Sequence, residues 1–210
     1  MSDKFTEKYN TFIIFGAPGS GKGTQGAILG RIPRLFHFSC GDAFRSMDTR
    51  TEVGQEFLKY SSEGKLVPDD VTVRFWKAQI DNQVEAHVFK PDIDFIVLDG
   101  IPRNVEQAKI MEDHLNIIRL FHLSVPDRDE LARRLKKRAL KDNRLDDASE
   151  EVIARRVKTY EEESKALLDY YPKDIITLID AAHPPVKVLA DILKDIMKLP
   201  QWEESMKVVA

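Results

Sequence analysis

The sequence predicts an α/β protein in which helices cover both faces of a five-stranded parallel sheet. Short and almost continuous apolar runs, each with the length of a buried strand, alternate along the chain with longer helical patterns. The first run passes directly into a glycine-rich loop, and later runs end in an acidic residue. Runs bounded in this way are typical of strands. We place the strands at residues 12–15, 35–38, 95–98, 117–123 and 175–179.

The segment Phe12–Thr24 is the one around which the chain is organised. Its strand runs into GAPGSGK, which has the G-x-x-x-x-G-K spacing of a phosphate-binding loop. Glycine is needed because the backbone must fold around an anion with its N–H groups pointing inward, in conformations closed to residues with a Cβ. A helix that begins at about Lys22 adds its positive N-terminal end, and Lys22 would reach the β- and γ-phosphates. Gly23 stands where most such loops carry a Ser or Thr ligand of Mg²⁺, so any metal must be held by the nucleotide, by water and by other side chains.

Composition limits the classes of protein to consider. The chain has 210 residues, of which 42% are hydrophobic and 32% charged, as in one globular domain that carries small inserted lobes. Its net charge of −3 argues against a surface that binds nucleic acid through bulk positive charge. Cys40 is the only cysteine, which excludes an internal disulfide and a cysteine zinc site. No apolar run approaches the roughly 20 residues of a membrane span and no signal-peptide core is present. We therefore expect a cytoplasmic protein without nucleic-acid or membrane partners.

Helical patterns connect the predicted strands. We place them at residues 22–31, 51–62, 69–84, 104–115, 127–141, 149–171 and 185–199. In parallel sheets of this kind, ligands bind at the carboxyl ends of the strands. The glycine loop, Ser39–Asp42 and Asp99–Arg103 all follow strands, so we expect them to meet at one edge of the sheet.

Helical periodicity sorts the arginines of helix 127–141. Leu131 and Leu135 mark its buried stripe, so Arg134 and Arg138 lie beside the stripe and Arg133 lies on the far side. Taken singly, each half-buried arginine can be explained by an ion pair or by its stem covering apolar surface. Taken together with a phosphate loop, such arginines resemble a clamp on a transferring phosphoryl group.

The same test applies to the helix that begins at Ser149. It places Arg156 near the buried side and Arg155 outside. Arg144 lies in a polar connector, residues 139–147, between the two arginine-bearing helices. A connector of this kind can close over a bound nucleotide and exclude water.

Three polar residues at strand ends have more than one explanation. Asp42 and Gln107 each stand three residues after a possible helix cap, Ser39 and Asn104, so either can simply complete a capping box. Asp99 ends a strand beside the glycine loop and is the better candidate for a water-mediated contact to Mg²⁺.

The residues show no arrangement for nucleophilic or general-base catalysis. No Ser-His-Asp or Cys-His set emerges, and we interpret Cys40 as a small core or pocket-lining residue. This absence is informative, because a phosphate monoester has a second pKa near 6 and is mostly ionised at neutral pH. Such an acceptor needs cations to screen its charge and needs no base.

Several segments resemble the adenylate kinase family in their order and spacing, from Phe12 to about Leu193. They are GAPGSGKGTQ (16–25), SCGDAFR (39–45), GKLVPDD (64–70), LDGIPRNVEQA (98–108), the pair Arg134 and Arg138, and NRLDDASEEVIARRV (143–157). The glycine loop together with D-G-x-P-R is specific to nucleoside monophosphate (NMP) kinases. The resemblance implies a three-layer P-loop kinase fold and the in-line, Mg²⁺-dependent reaction of ATP with AMP to give two ADP.

The resemblance also implies roles for individual residues. Those implied to bind ATP are Gly16, Ala17, Pro18, Gly19, Ser20, Gly21, Lys22, Gly23, Thr24, Arg134, Arg138 and His183. Those implied to bind AMP are Cys40, Arg45, Leu66, Val67, Gly100, Arg103, Gln107, Arg144 and Arg156. Those implied to stabilise the moving phosphoryl group are Lys22, Arg103, Arg134, Arg138, Arg144 and Arg156. Asp42 and Asp99 would hold Mg²⁺ through water, and no zinc is implied.

By the same resemblance, the single kinase domain (1–210) divides into functional parts. They are a core (12–38, 95–138 and 150–199), an NMP-binding lobe (39–68), a short lid (139–149) and a C-terminal tail (200–210). The family implies small-molecule substrates only, and we expect a monomer. An insertion between Val84 and Asp94 and the tail have no counterpart in the family pattern.

Some positions depart from the family pattern and bear on the acceptor base. Cys40 stands where adenylate kinases usually have Thr and pyrimidine-nucleotide relatives have Ala; Ile101 replaces a usual Phe, and Asn143 a common Gly. Gln107 favours adenine, because an amide can donate to N1 or N7 and accept from the 6-amino group, whereas the pyrimidine relatives usually carry Asn. A UMP/CMP kinase of the same fold is therefore the alternative. A non-catalytic P-loop switch is a further one, although the guanine-reading N-K-x-D and the D-x-x-G motif are missing.

Overall fold

Five parallel strands form the centre of the molecule in a computed structural model that describes residues 8–63, 65–142 and 149–207. The strands are β1 (Tyr9–Phe15), β2 (Leu35–Ser39), β3 (Phe95–Asp99), β4 (Leu115–Ser124) and β5 (Ile176–Asp180). Their order across the sheet is β2-β3-β1-β4-β5, and all neighbours are parallel. The predicted α/β class and the five-stranded parallel sheet are confirmed.

Both faces of the sheet are buried, which explains why its strands read as continuous apolar runs. Along β1, Phe12 and Ile14 belong to one core cluster, whereas Ile13 and Phe15 belong to another. Because successive strand residues point to opposite faces, these two clusters lie on opposite sides of the sheet. All five residues of β3 are buried, as expected for a central strand covered on both sides.

Helices cover the sheet and carry the residues that extend from its edge. They are α1 (Lys22–Leu29), α2 (Cys40–Arg45), α3 (Glu52–Ser62), α4 (Asp69–Glu85), α5 (Val105–Met111), α6 (Arg128–Asp142), α7 (Glu150–Thr159), α8 (Leu167–Tyr170), α9 (Pro185–Ile196) and α10 (Pro200–Lys207). Within the described residues, no helix is both long enough and apolar enough to cross a membrane.

The single helix predicted over residues 149–171 is wrong. The helix α7 ends at Thr159, a π-helical turn occupies Tyr160–Ser164, and α8 follows as a separate short helix. A π-turn adds one residue to the helical repeat and so turns different side chains inward. As a result Ser164 is buried, and Tyr160 packs against the sheet residue Phe15 with ring centroids 5.5 Å apart.

The insertion between Val84 and Asp94 supplies part of the core. It carries Phe89, which is 1% exposed and stacks on Phe36 of the edge strand β2 with centroids 4.9 Å apart. The Phe89 and Tyr9 rings also pack in a T-shaped arrangement, with centroids 5.5 Å apart. The insertion thus contributes a ring to the core cluster that also contains Phe38 and Ile96.

The C-terminal tail forms α10 over part of its length and also packs against the core. The Trp202 ring lies 5.6 Å from that of Phe95, centroid to centroid, and Trp202 joins the core cluster of β1 and β3. The tail is therefore attached to the core through the partly buried Trp202.

The strand order places the carboxyl ends of β1, β2 and β3 side by side. Asp99 pairs in register with Ile14 of β1 and with Ser39 of β2. The glycine loop after β1, the start of α2 after β2 and the connector after β3 consequently meet at one edge, as predicted.

Truncation of Phe89 tests the role of the insertion. We expect F89A to lower the free energy of unfolding by about 3 kcal/mol or more, because it removes a fully buried aromatic ring. Urea unfolding followed by circular dichroism measures this change. V88A is the matched control, since the neighbouring Val88 is 59% exposed and should cost little. Equal effects of the two substitutions would contradict the packing role of Phe89.

Candidate active site

The glycine loop passes so close to its neighbours that two of its glycines have no room for a side chain. A Cβ on Gly16, whose φ is +149°, would lie 2.5 Å from the carbonyl oxygen of Leu123 at the end of β4. A Cβ on Gly19, with φ of +87°, would lie 2.9 Å from the carbonyl oxygen of Leu131 in α6. The loop is thereby held between β4 and α6, with the N-terminus of α1 opening at Lys22. This is the concave, N–H-lined arrangement that binds phosphate.

The amine of Lys22 lies at the centre of the site. Its Nζ donates hydrogen bonds to the carbonyl oxygens of Gly16 (2.7 Å) and Ala17 (3.1 Å). The Lys22 pKa is lowered to about 8, mainly because the amine is buried; Asp99 opposes this shift, and the positive charges of Arg103, Arg138 and Arg156 contribute to it.

The three arginines that act on Lys22 come from three separate elements. Arg103 lies between β3 and α5, Arg138 on α6 and Arg156 on α7. Their charges, together with that of Lys22, make the region strongly attractive to a polyanion. Arg103 is held in place by a hydrogen bond from its Nε to the carbonyl oxygen of Gly100, 2.9 Å long.

A cavity of about 1050 Å³ extends from the glycine loop to the residues predicted to bind AMP. This lies at the upper end of the range of about 300–1,000 Å³ usual for pockets that hold one small ligand. The sequence-predicted site residues that line it are Gly16, Pro18, Gly19, Ser20, Gly21, Lys22, Gly23, Thr24, Cys40, Asp42, Arg45, Leu66, Val67, Asp99, Gly100, Arg103, Gln107, Arg134, Arg138, Arg156 and His183. Ala17 is not among the lining residues, although its carbonyl oxygen accepts from Lys22. Arg144, like the lid residues 143–148, lies outside the described residues.

The periodicity test on α6 is confirmed for all three arginines. Arg134 and Arg138 are half-buried, and the Arg133 side chain is 69% exposed. Arg133 nevertheless lines the rim of the cavity, because the cavity extends beyond the buried stripe of the helix. Arg134 is anchored by its Nε to Glu130 Oε1 (2.8 Å) and by its Nη1 to the carbonyl oxygen of Ala181 (2.9 Å).

Sequence reasoning missed several polar residues of α6 that line the cavity. They are Glu130, Lys137 and Lys141, in addition to Arg133. Positions 130, 133, 134, 137, 138 and 141 follow the three- and four-residue spacing of one helix face. This charged face follows from the sequence spacing, but proximity to the buried stripe of Leu131 and Leu135 does not identify it.

On α7, Arg155 lies outside the cavity lining, as its predicted outward position implies. Its Nη1 donates to the carbonyl oxygen of Glu63, at 2.7 Å. This bond connects α7 to the end of α3 in the predicted NMP-binding lobe. Arg155 therefore has a structural partner across the molecule.

The two carboxylates predicted to act on a metal lie at adjacent strand ends. Asp99 is buried at the end of β3, and Asp42 lies in the first turn of α2, where its Oδ1 accepts from Arg45 Nη2 at 2.6 Å. Ser39 caps α2 by accepting from the N–H of Asp42 at 3.3 Å. In the described part of the chain, no group of three or more His, Cys, Asp or Glu residues could hold a metal. Two carboxylates with remaining positions for water and phosphate oxygens fit Mg²⁺, which usually keeps several waters.

Cys40 lines the cavity as a neutral thiol. Burial raises its pKa to about 11, and this outweighs the positive charges of Arg103 and Arg45. A thiol with such a pKa stays protonated at neutral pH and is a poor nucleophile. The geometry agrees with the interpretation of Cys40 as a pocket-lining residue.

Comparisons with known proteins agree with the site. Residues 14–176 match the model of the family described as "Adenylate kinase". The adenylate kinase of Corynebacterium diphtheriae is 37% identical over 79% of this chain and 88% of the relative. That of Cyanothece sp. is 36% identical over 86% of this chain and 91% of the relative. That of Leptospira biflexa is 36% identical over 88% of this chain and 98% of the relative.

The chain belongs to the adenylate kinase family. It is therefore a nucleoside monophosphate kinase, a phosphotransferase that binds nucleotides, and the predicted enzyme class is confirmed. The segment that matches the family model, residues 14–176, includes the glycine loop, both carboxylates and the arginines of α6 and α7. The fold and the family thus agree, and the roles of individual residues are taken up below.

The positive charges around Lys22 lead to a prediction about the unliganded protein. We expect the Lys22 amine to titrate near pH 8 when folded and near the ordinary lysine value of 10.5 when unfolded. R138Q should raise the folded midpoint, because it removes a charge that opposes protonation. Competitive acetylation at a series of pH values, read by mass spectrometry of the Lys22 peptide, measures the Lys22 midpoint in the folded and in the unfolded protein.

R133Q is the matched control for R138Q. Arg133 lies on the same helix but is largely exposed, and its charge is not among those that shift Lys22. R133Q should leave the midpoint unchanged. A wild-type midpoint near 10.5, or equal shifts in the two variants, would show that the arginines do not converge on this amine.

Proposed function

We propose that this protein transfers the γ-phosphoryl group of ATP to AMP in a reversible, in-line reaction that yields two ADP. The observation that carries the proposal is the position of Arg103, Arg138 and Arg156, which approach the Lys22 amine from three elements. Such an arrangement suits two phosphate chains that meet end to end. It has less purpose in a protein that only binds one nucleotide, which argues against a non-catalytic switch.

The donor nucleotide would lie on the side of the glycine loop. The loop N–H groups and the N-terminus of α1 would hold the ATP phosphates, and Lys22 would exchange its carbonyl partners for phosphate oxygens. Arg134 is fixed by Glu130 and the Ala181 carbonyl, which leaves its guanidinium plane available to lie along the adenine. His183 lies on the neighbouring cavity wall.

The acceptor nucleotide would lie on the side of α2 and α5. Arg45 and Arg103 would bind the AMP phosphate, because both line the cavity, Arg45 from the end of α2 and Arg103 from the connector after β3. Bidentate guanidinium groups are well suited to phosphate oxygens. Leu66, Val67, Gly100, Gln107 and Cys40 would surround the base.

Transfer requires charge neutralisation more than proton removal. An AMP phosphate oxygen attacks the γ-phosphorus of ATP while the bond to the β,γ-bridging oxygen breaks, so that ADP leaves with that electron pair. The attacking oxygen is already ionised at neutral pH. Lys22, Arg103, Arg134, Arg138 and Arg156 would stabilise the charge on the moving group, and Arg144 of the predicted lid would join them. Mg²⁺, held through water by Asp42 and Asp99, would neutralise part of the phosphate charge when bound.

The proposal extends to the form in which the protein acts. We propose that the protein acts as a monomer on small-molecule substrates, which the cavity of about 1050 Å³ can hold. The cytoplasmic location and the lack of nucleic-acid and membrane partners stay predictions from composition.

An acceptor panel tests the proposed reaction. Purified protein is given ATP, Mg²⁺ and one of AMP, dAMP, CMP or UMP, and diphosphate formation is followed by chromatography. We expect AMP to give the highest kcat/KM. A preference for UMP or CMP would favour the alternative kinase, and turnover of none of them would reject the proposed function.

The assignment of the two nucleotide sites is tested at Arg103. R103A should raise the KM for AMP or lower kcat by a factor of about 100 or more, because it removes a charge-assisted contact to phosphate. ATP binding, measured by calorimetry without AMP, should change little. R74A is the control, since Arg74 is 76% exposed on α4 and pairs with Asp70. Loss of ATP binding with unchanged AMP kinetics would show that the two sites are assigned the wrong way round.

A further inference from the structure

The amide of Gln107 is held in one orientation by two partners of opposite kind. Its Oε1 accepts the backbone N–H of Arg103 at 2.8 Å, and its Nε2 donates to Asp69 Oδ1, also at 2.8 Å. A backbone N–H can only donate and an ionised carboxylate can only accept. Rotation of the amide by 180° would therefore set donor against donor and acceptor against acceptor. Gln107 is 1% exposed, so water cannot replace the lost partners cheaply.

Asp69 is itself fixed by Asn104, the N-cap residue of α5. Asn104 Nδ2 donates to Asp69 Oδ1 at 2.9 Å and to Oδ2 at 3.2 Å. The other end of the Asn104 amide caps α5 by accepting the N–H of Gln107 at 2.8 Å. Asp69 belongs to the first turn of α4, so the carboxylate connects two helices and is not free to follow a rotating amide.

The two bonds leave the Gln107 amide with one unused acceptor position on Oε1 and one unused N–H on Nε2. Gln107 lines the cavity, whereas Asp69 is not one of the described residues that do. A ligand in the cavity therefore contacts an amide whose donor and acceptor sides are already determined by Asp69, which does not line the cavity.

We infer that Asp69 is a positioning residue that locks the Gln107 amide and so makes the acceptor site select bases with an amino group beside an unprotonated ring nitrogen. This inference rests on the proposed function, in which Gln107 contacts the acceptor base. The amide oxygen accepts from the amino group and the amide nitrogen donates to the ring nitrogen. Adenine and cytosine present this pattern.

Bases with a keto group present the reverse pattern. Hypoxanthine has a carbonyl oxygen at position 6 and an N–H at position 1, and uracil differs from cytosine in the same way. AMP and IMP are thus nearly identical in shape and differ at the edge that a locked amide would read. A site built to bind one hydrogen-bonding pattern rejects the other strongly, because buried polar groups are left unpaired.

The kcat/KM ratio of AMP to IMP tests the lock. We expect this ratio to be about 100 or more in the wild-type protein. D69A removes the acceptor for Nε2, so the ratio should fall about tenfold or more, with a higher KM for AMP and an unchanged KM for ATP. Both substrates are measured on one preparation, so the ratio does not depend on the fraction of the variant that folds.

Two further variants separate positioning from other effects. D69N keeps an acceptor oxygen without the charge and should restore the AMP to IMP ratio to within about threefold of the wild-type value, since the bond to Nε2 survives. D70A is the matched control, because Asp70 also lies in the first turn of α4 but pairs with Arg74 at 3.1 Å. D70A should leave the ratio unchanged.

Three results would overturn the inference: an unchanged ratio in D69A, a fall in D69N as large as that in D69A, or an equal fall in D70A. Failure of the proposed function is read separately. In that case the wild-type protein turns over neither AMP nor IMP, whereas failure of the lock alone leaves a normal AMP kinase whose selectivity ignores Asp69.

Discussion

The cost of keeping the Lys22 amine desolvated among half-buried arginines is the constraint on which the rest of the structure depends. A lysine amine in a desolvated position, with three guanidinium groups near enough to lower its pKa, is unfavourable in the absence of an anion. The protein maintains it because the sheet is covered on both faces by well-packed apolar residues that stabilise the fold independently of the site. Bound phosphate groups would relieve the repulsion, so the same charges that cost stability in the free protein favour the complex.

Backbone carbonyl oxygens orient three of the cations in the site. Lys22 donates to the Gly16 carbonyl, Arg103 to the Gly100 carbonyl and Arg134 to the Ala181 carbonyl. A carbonyl orients a guanidinium or amine without cancelling its charge, so the side chain stays available to phosphate. Positioning of this kind lowers the cost of organising the site when substrates bind.

The helix caps near the acceptor side serve two purposes at once. Ser39 caps α2 and Asn104 caps α5, as their spacing predicts. The expected reciprocal capping box is not formed by Gln107, because its side-chain oxygen accepts from Arg103, the residue before the cap. Its nitrogen is instead bound by Asp69, so a residue that looked like part of a local cap connects α4, α5 and the cavity.

The sequence by itself determined the sheet class, the phosphate loop, the family and about half of the residues around the cavity. These features depend on local patterns, namely apolar runs, glycine spacing and helical periodicity, which are written into neighbouring residues. Only the tertiary structure decided the partners of Gln107, the place of Phe89 against β2, the break between α7 and α8 and the cavity position of Arg133. Each of these joins residues that are distant in the chain or depends on which side of a helix another element covers. Such contacts arise from the packing of whole elements, and no local pattern records them.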